Sequence, residues 1–588
     1  MRNSGLFAFT ATDHGGIVLP FKSTMSTVVS TVLATAGAVF LVPPTAAFAD
    51  ARGEAETGRI TPAANGAFPA DVTAGGGHAA EIWDRASLEV PVTTTAPATA
   101  VRVRVRQELC GAEPPWIRVH VDGVFVQTAT VEPTNWTTIP FRGTWAAGPH
   151  TVRIDFTNPY YNAATCGARE LFVDHVSFAS AVPGRTYYVD AADGDDTNAG
   201  TSADAAWQTI GRVNDATLAP GDSVLFKSGQ TFTGETLTAG QPGNTTARVT
   251  YGAYGTDTDP IFDGEGQRYP VVVNAPFVTV QDIQVRNAGD EYKIGMRVFG
   301  ADALVQRITA SGNAIGVQAE DGADRLHLTA SRLVDNKTVI NPDGLGKAQG
   351  STDDYGASGV VVLKAHGVEI DENTMSGNIG PSADFDEDGS AVEIYGAVGT
   401  VVHHNRSIDN QTFSEIGHAE TRNTTFHNNL IAANAGIDEA IGFNAQGNGK
   451  FGPVLNTRMF NNTVVLLGAD SKGVVVGTGA TAFLHNNIVQ ADYAGWSGDQ
   501  KIDEGHNVYR PGAWGNDIWS DANTGQGIAP TSVTADPLFV GSGDYHLRAG
   551  SPAKDRGVSA YGSTWDLDHV ARTAGTGTDA GAYELPAA

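Results

Sequence analysis

The sequence predicts an all-β chain, in which an N-terminal β-sandwich of jelly-roll type is followed by a right-handed, single-stranded parallel β-helix. Three observations carry the sandwich and the coil of parallel strands, and the resemblances given below imply the jelly-roll form and the right hand. Stretches such as Val101-Arg-Val-Arg-Val-Arg106 alternate apolar and polar residues at the period of a strand. Glycine supplies 70 of 588 residues and charged residues only 17%, a balance that suits many tight turns. Asparagines follow short apolar strands at Asn287, Asn313, Asn336, Asn373, Asn405, Asn429, Asn462, Asn487 and Asn507. Their spacings of 20–37 residues are those of a coil of stacked rungs, with insertions in the longer ones.

Taken from the start, residues 1–49 read as an export signal. Arg2 and Lys22 precede an apolar run from Val28 to Val42, and Ala47-Phe48-Ala49 offers a small-x-small cleavage site before Asp50. The stretch before Lys22 is long for such a leader, which makes Met25 an alternative start. A secreted, extracellular monomer is expected, with no membrane span. The net charge of −28 argues against nucleic acid and anionic lipid as partners. It also disfavours a polyuronate unless a cation intervenes, and so leans toward a neutral glycan. Two cysteines, Cys110 and Cys166, in an exported chain are most simply one disulfide.

Residues 51–180 form the expected sandwich. Trp116-Ile-Arg-Val-His-Val121 and Thr151-Val-Arg-Ile-Asp-Phe156 alternate as Val101–Arg106 does, and Asp122-Gly123 and Ala147-Gly-Pro149 mark turns between them. Glu54-Ala-Glu56, the segment from Val101 through Cys110 to Val121-Asp-Gly123, Phe156-Thr-Asn-Pro-Tyr-Tyr161, Cys166 and Arg169-Glu-Leu-Phe-Val-Asp174 together resemble the calcium-dependent xylan-binding carbohydrate modules. That resemblance implies that Glu54, Glu56 and Asp174 hold a structural calcium. Two positions depart from it. Pro159 and Ala168 stand where such modules often place aspartates beside a ligand-binding calcium, which puts calcium-mediated sugar binding in question. Tyr160 and Tyr161 remain available to stack on a sugar ring.

Residues 185–588 form the expected β-helix. Tyr187-Tyr-Val-Asp190, Gly194-Asp-Asp-Thr-Asn-Ala-Gly-Thr201, Pro220-Gly-Asp-Ser-Val-Leu-Phe226 and Tyr251-Gly-Ala-Tyr-Gly255 resemble the opening of secreted right-handed β-helix proteins of the pectate-lyase-like superfamily. The end, about 535–588, resembles the closing segment of exported bacterial β-helix proteins and is expected to cap the last rung. Three insertions, roughly 341–356, 378–389 and 444–453, bracket the strands Ala391-Val-Glu-Ile-Tyr395 and Phe413-Ser-Glu-Ile-Gly417. Loops on one side of a solenoid mark its binding face.

Glu393 and Glu415 lie 22 residues apart, one rung, and the alternation around them turns both outward. Stacked strands are ~4.7–4.9 Å apart, near the ~5–5.5 Å separation of a retaining glycosidase pair. Like charges that close raise one pKa, as a general acid requires. Asp388 is a third candidate acid at the groove rim. Asp384-Phe-Asp-Glu-Asp-Gly389 also begins as calcium loops do, so Asp384 and Asp386 are candidate calcium ligands; a solvated loop is the plain alternative. Tyr395, His418, Lys364, Lys450, Asp354, Asp353 and Trp496 are candidate substrate contacts. Three functions fit: a glycoside hydrolase acting on a xylan-like plant glycan, a calcium-dependent polysaccharide lyase using Lys364 or Lys450 as base, and a non-catalytic glycan-binding protein.

Overall fold

The computed structural model describes residues 51–585, apart from 109, 111–113, 132–133, 164–165, 181–183, 290–291, 341–353, 384, 450, 498–501, 513–525, 560–563 and 573–576. The expected leader and the candidates Asp353, Asp384 and Lys450 lie outside the described residues. The chain divides near residue 181 into two compact units. No helix is long and apolar enough to cross a membrane.

The first unit packs two antiparallel sheets face to face. One runs in the order Gly66–Ala67, Ala80–Ile82, Glu170–Ser180, Ala98–Glu108, Thr137–Trp145, with Ala51–Glu54 also pairing with Glu170–Ser180. The other runs Arg59–Thr61, Ala86–Thr94, Gly148–Phe156, Trp116–Val121, Val124–Thr130. The alternation read from the sequence sets the faces. Val101, Val103 and Val105 are fully buried, as are Ile117 and Val119 and, from the neighbouring strand, Val152 and Ile154. Cys110 and Cys166 form the expected disulfide, with Cα atoms 5.5 Å apart.

The second unit is a parallel β-helix built from three sheets of 12, 12 and 10 strands. Each complete rung gives one short strand to each sheet, and aliphatic and aromatic side chains stack inside it from Tyr187 to Tyr509. The asparagines form two ladders rather than the single series expected. Asn313, Asn336, Asn378 and Asn410 occupy the corner between the second and third sheets. Asn373, Asn405, Asn429, Asn462, Asn487 and Asn507 occupy the corner between the first and second. The interval from Asn336 to Asn373 therefore crosses between corners and is not a rung. Asn287 belongs to neither ladder: it is exposed and bonds Asp263, and the Ala288 N–H donates to Asn313 instead.

Each ladder amide is saturated. Asn429 Oδ1 accepts from the backbone and side-chain nitrogens of Asn405, while its Nδ2 donates to Asn462 Oδ1 and to the Val402 carbonyl. The residue just before each ladder asparagine takes the left-handed conformation, as at His404, Asn428 and Asn461. Asn429→Ala is expected to lower stability by about 3 kcal/mol or more, because several fully buried donors and acceptors lose partners together. A reduced midpoint of denaturant unfolding with unchanged slope checks it.

The C-terminal segment is not a plug on the last rung. It runs back along the corner between the first and second sheets as a strap. His506 meets the Arg556 carbonyl, Asn486 the Val558 carbonyl, Asn428 the Trp565 carbonyl, and Arg406 the Asp568 carboxylate. The side chains of Asn428, Asn486 and His506, turned out of the ladder by their left-handed backbone, reach it together with Arg406.

Two of the insertions leave the coil at the corner between the second and third sheets. The first returns through a ribbon of Val339–Ile340 with Tyr355–Gly356, and the second is a hairpin of Gly380–Ser382 with Asp386–Asp388. The third follows the strand Ile441–Ala445 and so leaves the opposite end of the third sheet.

Candidate active site

Between those insertions the third sheet presents an outward ladder of Gln318, Val361, Glu393, Glu415 and Asn444, all in parallel register. Val392 and Ser414, and Ile394 and Ile416, pair inward and are fully buried. The two glutamates thus stand directly over one another, one strand spacing apart.

They are not the exposed pair read from the alternation: Glu393 is half-buried and Glu415 buried. Glu415 is 7% exposed, and Tyr395 beside it 5%. The Tyr395 hydroxyl donates to Glu415 Oε1 at 3.1 Å, and Asn444 Nδ2 donates to Oε2 at 3.3 Å. Ser358 Oγ lies 2.6 Å from Glu393 Oε1 and 3.2 Å from the Gly356 carbonyl. Burial pushes Glu393 up to about 7, against the hydrogen bonds of Ser358, Ser390 and Tyr395, with the Glu415 charge adding to the rise. Burial also pushes Glu415 up to about 7, and here the Asp388 carboxylate adds to it. Asp388, on the hairpin, acts on Glu415 and Tyr395 through its charge. Burial and the carboxylates around it push the Tyr395 phenol upward too, so it stays a neutral donor.

Gly417 makes room for that phenol. It pairs in register with Tyr395, and a Cβ there would fall 2.7 Å from the tyrosine ring. His418, with φ +70°, then sets its ring edge-on to Tyr395 at 6.0 Å and to Phe451 at 6.4 Å. Gly417→Ala is expected to displace Tyr395 and lower turnover about 100-fold, the usual effect of an ångström's misplacement. Comparing kcat and melting temperature with wild type separates this from unfolding.

Other candidates fall elsewhere. Asp354 is buried and accepts from Ser382 Oγ at 3.1 Å and the Ala383 N–H at 2.8 Å, so it anchors the hairpin instead of facing a groove. Asp386 is exposed in the hairpin's return strand, and no converging set of three ligand groups among the described residues includes it or Asp388. The segment folds as a hairpin, where a calcium loop was one expectation. Lys364 is exposed in the turn after its strand, at φ +56°, with no bond to the carboxylates among the described residues. Trp496 is fully buried in the helix core. Sequence reasoning missed Ser358, Gly417 and Asn444. Asn444 had a signal, the Glu415 position carried one rung further; the other two had none.

In the first unit, the candidate ligand atoms of Glu54, Asp174 and His175 lie within 4.8 Å of one another. Glu56 joins them, since a side chain at Gly76 would meet the carboxylates of both Glu56 and Glu54. Glu56 Oε2 is buried with no hydrogen-bond partner among the described residues, which is the state of an oxygen suited to a cation. Asp174 is fully buried, paired with Arg104 and 3.7 Å from Arg52. These residues fit an oxygen-liganded calcium, with Glu54 shared between it and Arg52 and Asp174 between it and Arg104. Asn158 and Arg169 bind backbone groups of the surrounding loop, while Tyr160 and Tyr161 are exposed.

Comparison with known proteins finds likenesses to both units. The family described as Ca-dependent carbohydrate-binding module, xylan-binding (CBM60), matches residues 100–186, a span that contains both cysteines and Asp174. A lacto-N-biosidase of Bifidobacterium longum is 48% identical over 75 residues, which are 12% of this chain and 5% of that protein. The chain thus spans a small fraction of that relative's length. Among solved structures, pectate lyase Pel9A aligns over 68% of this chain and 97% of its own, at 17% identity and TM-score 0.47. The GH136 lacto-N-biosidase of Eubacterium ramulus aligns over 54% of this chain and 67% of its own, at 13% identity and TM-score 0.32.

Proposed function

We propose that the chain is a secreted glycoside hydrolase that cleaves a xylan-like plant cell-wall glycan with retention, using Glu415 as nucleophile and Glu393 as acid and base. The observation that carries this is the in-register pair, one strand spacing apart, with both carboxyls near pKa 7. At neutral pH the pair holds about one proton, which this reading assigns to Glu393. Two donors, Tyr395 and Asn444, face Glu415 and favour its carboxylate. Ser358 Oγ, which donates to Glu393 Oε1 at 2.6 Å, holds the Glu393 carboxyl in place beside Glu415.

The reaction follows. Glu415 attacks the anomeric carbon while the Glu393 proton passes to the departing glycosidic oxygen. Glu393, now a carboxylate, takes a proton from water, and that water releases the sugar from Glu415. Asp388 keeps the Glu415 carboxyl basic. The N-terminal unit holds the chain on its substrate through the exposed Tyr160 and Tyr161, with calcium fixing its fold at Glu54, Glu56 and Asp174. The xylan-binding description of the matching family makes xylan the first substrate to try, and the lacto-N-biosidase relative adds lacto-N-biosides.

The test is product analysis on xylan, other neutral glycans, lacto-N-biosides and polyuronates, with and without a calcium chelator. New reducing ends of retained anomeric configuration support the reading. Ultraviolet absorbance from unsaturated uronate would replace it with a lyase, and glycan binding without turnover would leave a binding protein.

A further inference from the structure

On the outward ladder of the third sheet, a run of three polar residues lies between two valines. Glu393, Glu415 and Asn444 stand in register on consecutive strands, with Val361 before them and Val475 after. The side chains that hydrogen-bond the two carboxyls differ in exposure. Ser358, Ser390 and Tyr395 are buried, whereas Asn444 and Gln446 are half-buried and so able to meet a substrate. Asn444 Nδ2 gives one hydrogen to Glu415 Oε2 at 3.3 Å. Its second N–H hydrogen and its carbonyl oxygen make no hydrogen bond among the described residues. A sugar hydroxyl both donates and accepts, which matches that remaining donor and acceptor.

We propose that Asn444 is a catalytic residue that binds the hydroxyl on carbon 2 of the sugar retained by Glu415, which makes the substrate a glycoside with a free 2-hydroxyl and not a 2-acetamido sugar. The inference rests on the hydrolase reading above, because the roles of the two carboxyls orient the sugar. With Glu393 protonating the departing oxygen and Glu415 attacking the anomeric carbon, the leaving group lies on the Glu393 side. The retained sugar then lies over Glu415, on the side of Asn444. Its 2-hydroxyl is two bonds from the anomeric carbon, so a group already touching the attacking carboxylate is within hydrogen-bond reach of it. That hydrogen bond strengthens as positive charge develops at the anomeric carbon, and it therefore lowers the barrier more than it tightens binding. An acetamido group at carbon 2 would have to displace the amide that steadies Glu415. Tyr395 holds the other oxygen of Glu415 but is buried, which leaves the reading of carbon 2 to Asn444.

The experiment measures kcat and KM of the full chain on three aryl glycosides. They are nitrophenyl β-xylobioside, the same compound without the 2-hydroxyl on the sugar next to the aryl group, and nitrophenyl diacetyl-β-chitobioside. Asn444→Ala should lower kcat about 100-fold on the 2-hydroxy substrate with little change in KM. On the 2-deoxy substrate the loss should be at most about tenfold, since only the support of Glu415 is removed. Any unfolded fraction scales both losses alike, so their ratio is the readout. Wild type should cleave the chitobioside at least about 100-fold more slowly than the xylobioside. Equal losses on the 2-hydroxy and 2-deoxy substrates overturn the proposal, because Asn444 then serves Glu415 alone. Preferential cleavage of the chitobioside by wild type also overturns it, and that result needs no variant to fold. Cleavage of none of the three, nor of xylan, overturns the hydrolase reading and this inference with it.

Discussion

Glu415→Gln is expected to lower turnover by at least about 10⁴-fold on every glycoside, because the amide cannot form the glycosyl intermediate whatever the leaving group. Glu393→Gln is expected to behave differently. Loss of a general acid costs about 10²–10⁴-fold on a natural glycan, whose alkoxide leaving group needs a proton. An activated aryl glycoside needs none, so the same variant should retain near-wild-type rates of glycosyl-enzyme formation on it. Burst kinetics on an aryl substrate read that step directly. The pH profiles should separate the roles as well. Wild type needs Glu415 ionised and Glu393 protonated, which gives a bell around pH 7 from two macroscopic pKa values that belong to the pair. Glu393→Gln should lose the basic limb and keep the acidic one. If Glu393→Gln is equally inactive on aryl and natural substrates, or Glu415→Gln retains turnover, the assignment is wrong.

The fold was legible because its two periods are written in residue types. Strand alternation placed Val101, Val103 and Val105 inside the sandwich, and apolar residues before asparagines marked rungs. What residue type does not say is which corner an asparagine occupies. Both corners need a left-handed residue followed by a side chain able to donate and accept along the stack, so Asn336 and Asn373 look alike in sequence. The strap was illegible for a related reason. Its contacts are with corner side chains and backbone carbonyls, a pattern with no period of its own.

The register of Glu393 with Glu415 could be read because parallel strands one rung apart align their alternation. The environment of the pair could not. Its cover comes from Tyr395 lying across Gly417 and from insertions that follow no repeat, and a glutamate judged solvated by alternation is almost wholly shielded. Asp354 was misjudged for the same cause: an aspartate in an insertion looks like a groove residue until the hairpin it anchors is seen.

That shielding has a measurable consequence for stability. A carboxyl whose pKa rises from 4.5 in the unfolded chain to about 7 in the fold favours folding only while protonated. Its contribution is fully present below pH 4.5, falls as pH rises, and is lost above pH 7. Relative to acid conditions, each such group then weakens the fold by about 3 kcal/mol. Glutamine keeps the shape and removes the titration. An amide in place of Glu393 can still accept from Ser358, and one in place of Glu415 can still accept from Tyr395. Glu393→Gln and Glu415→Gln are therefore each expected to stabilise the β-helix by about 3 kcal/mol at pH 8 and by almost nothing at pH 4. The double variant should gain less than the sum, since removing either charge lowers the other's pKa. Denaturant unfolding at the two pH values is the measurement. A gain that persists at pH 4 would mean the amides pack better for reasons unrelated to charge. No gain at pH 8 would mean that the pair is well solvated after all, and a pair of that kind lacks the shared proton on which its proposed chemistry depends.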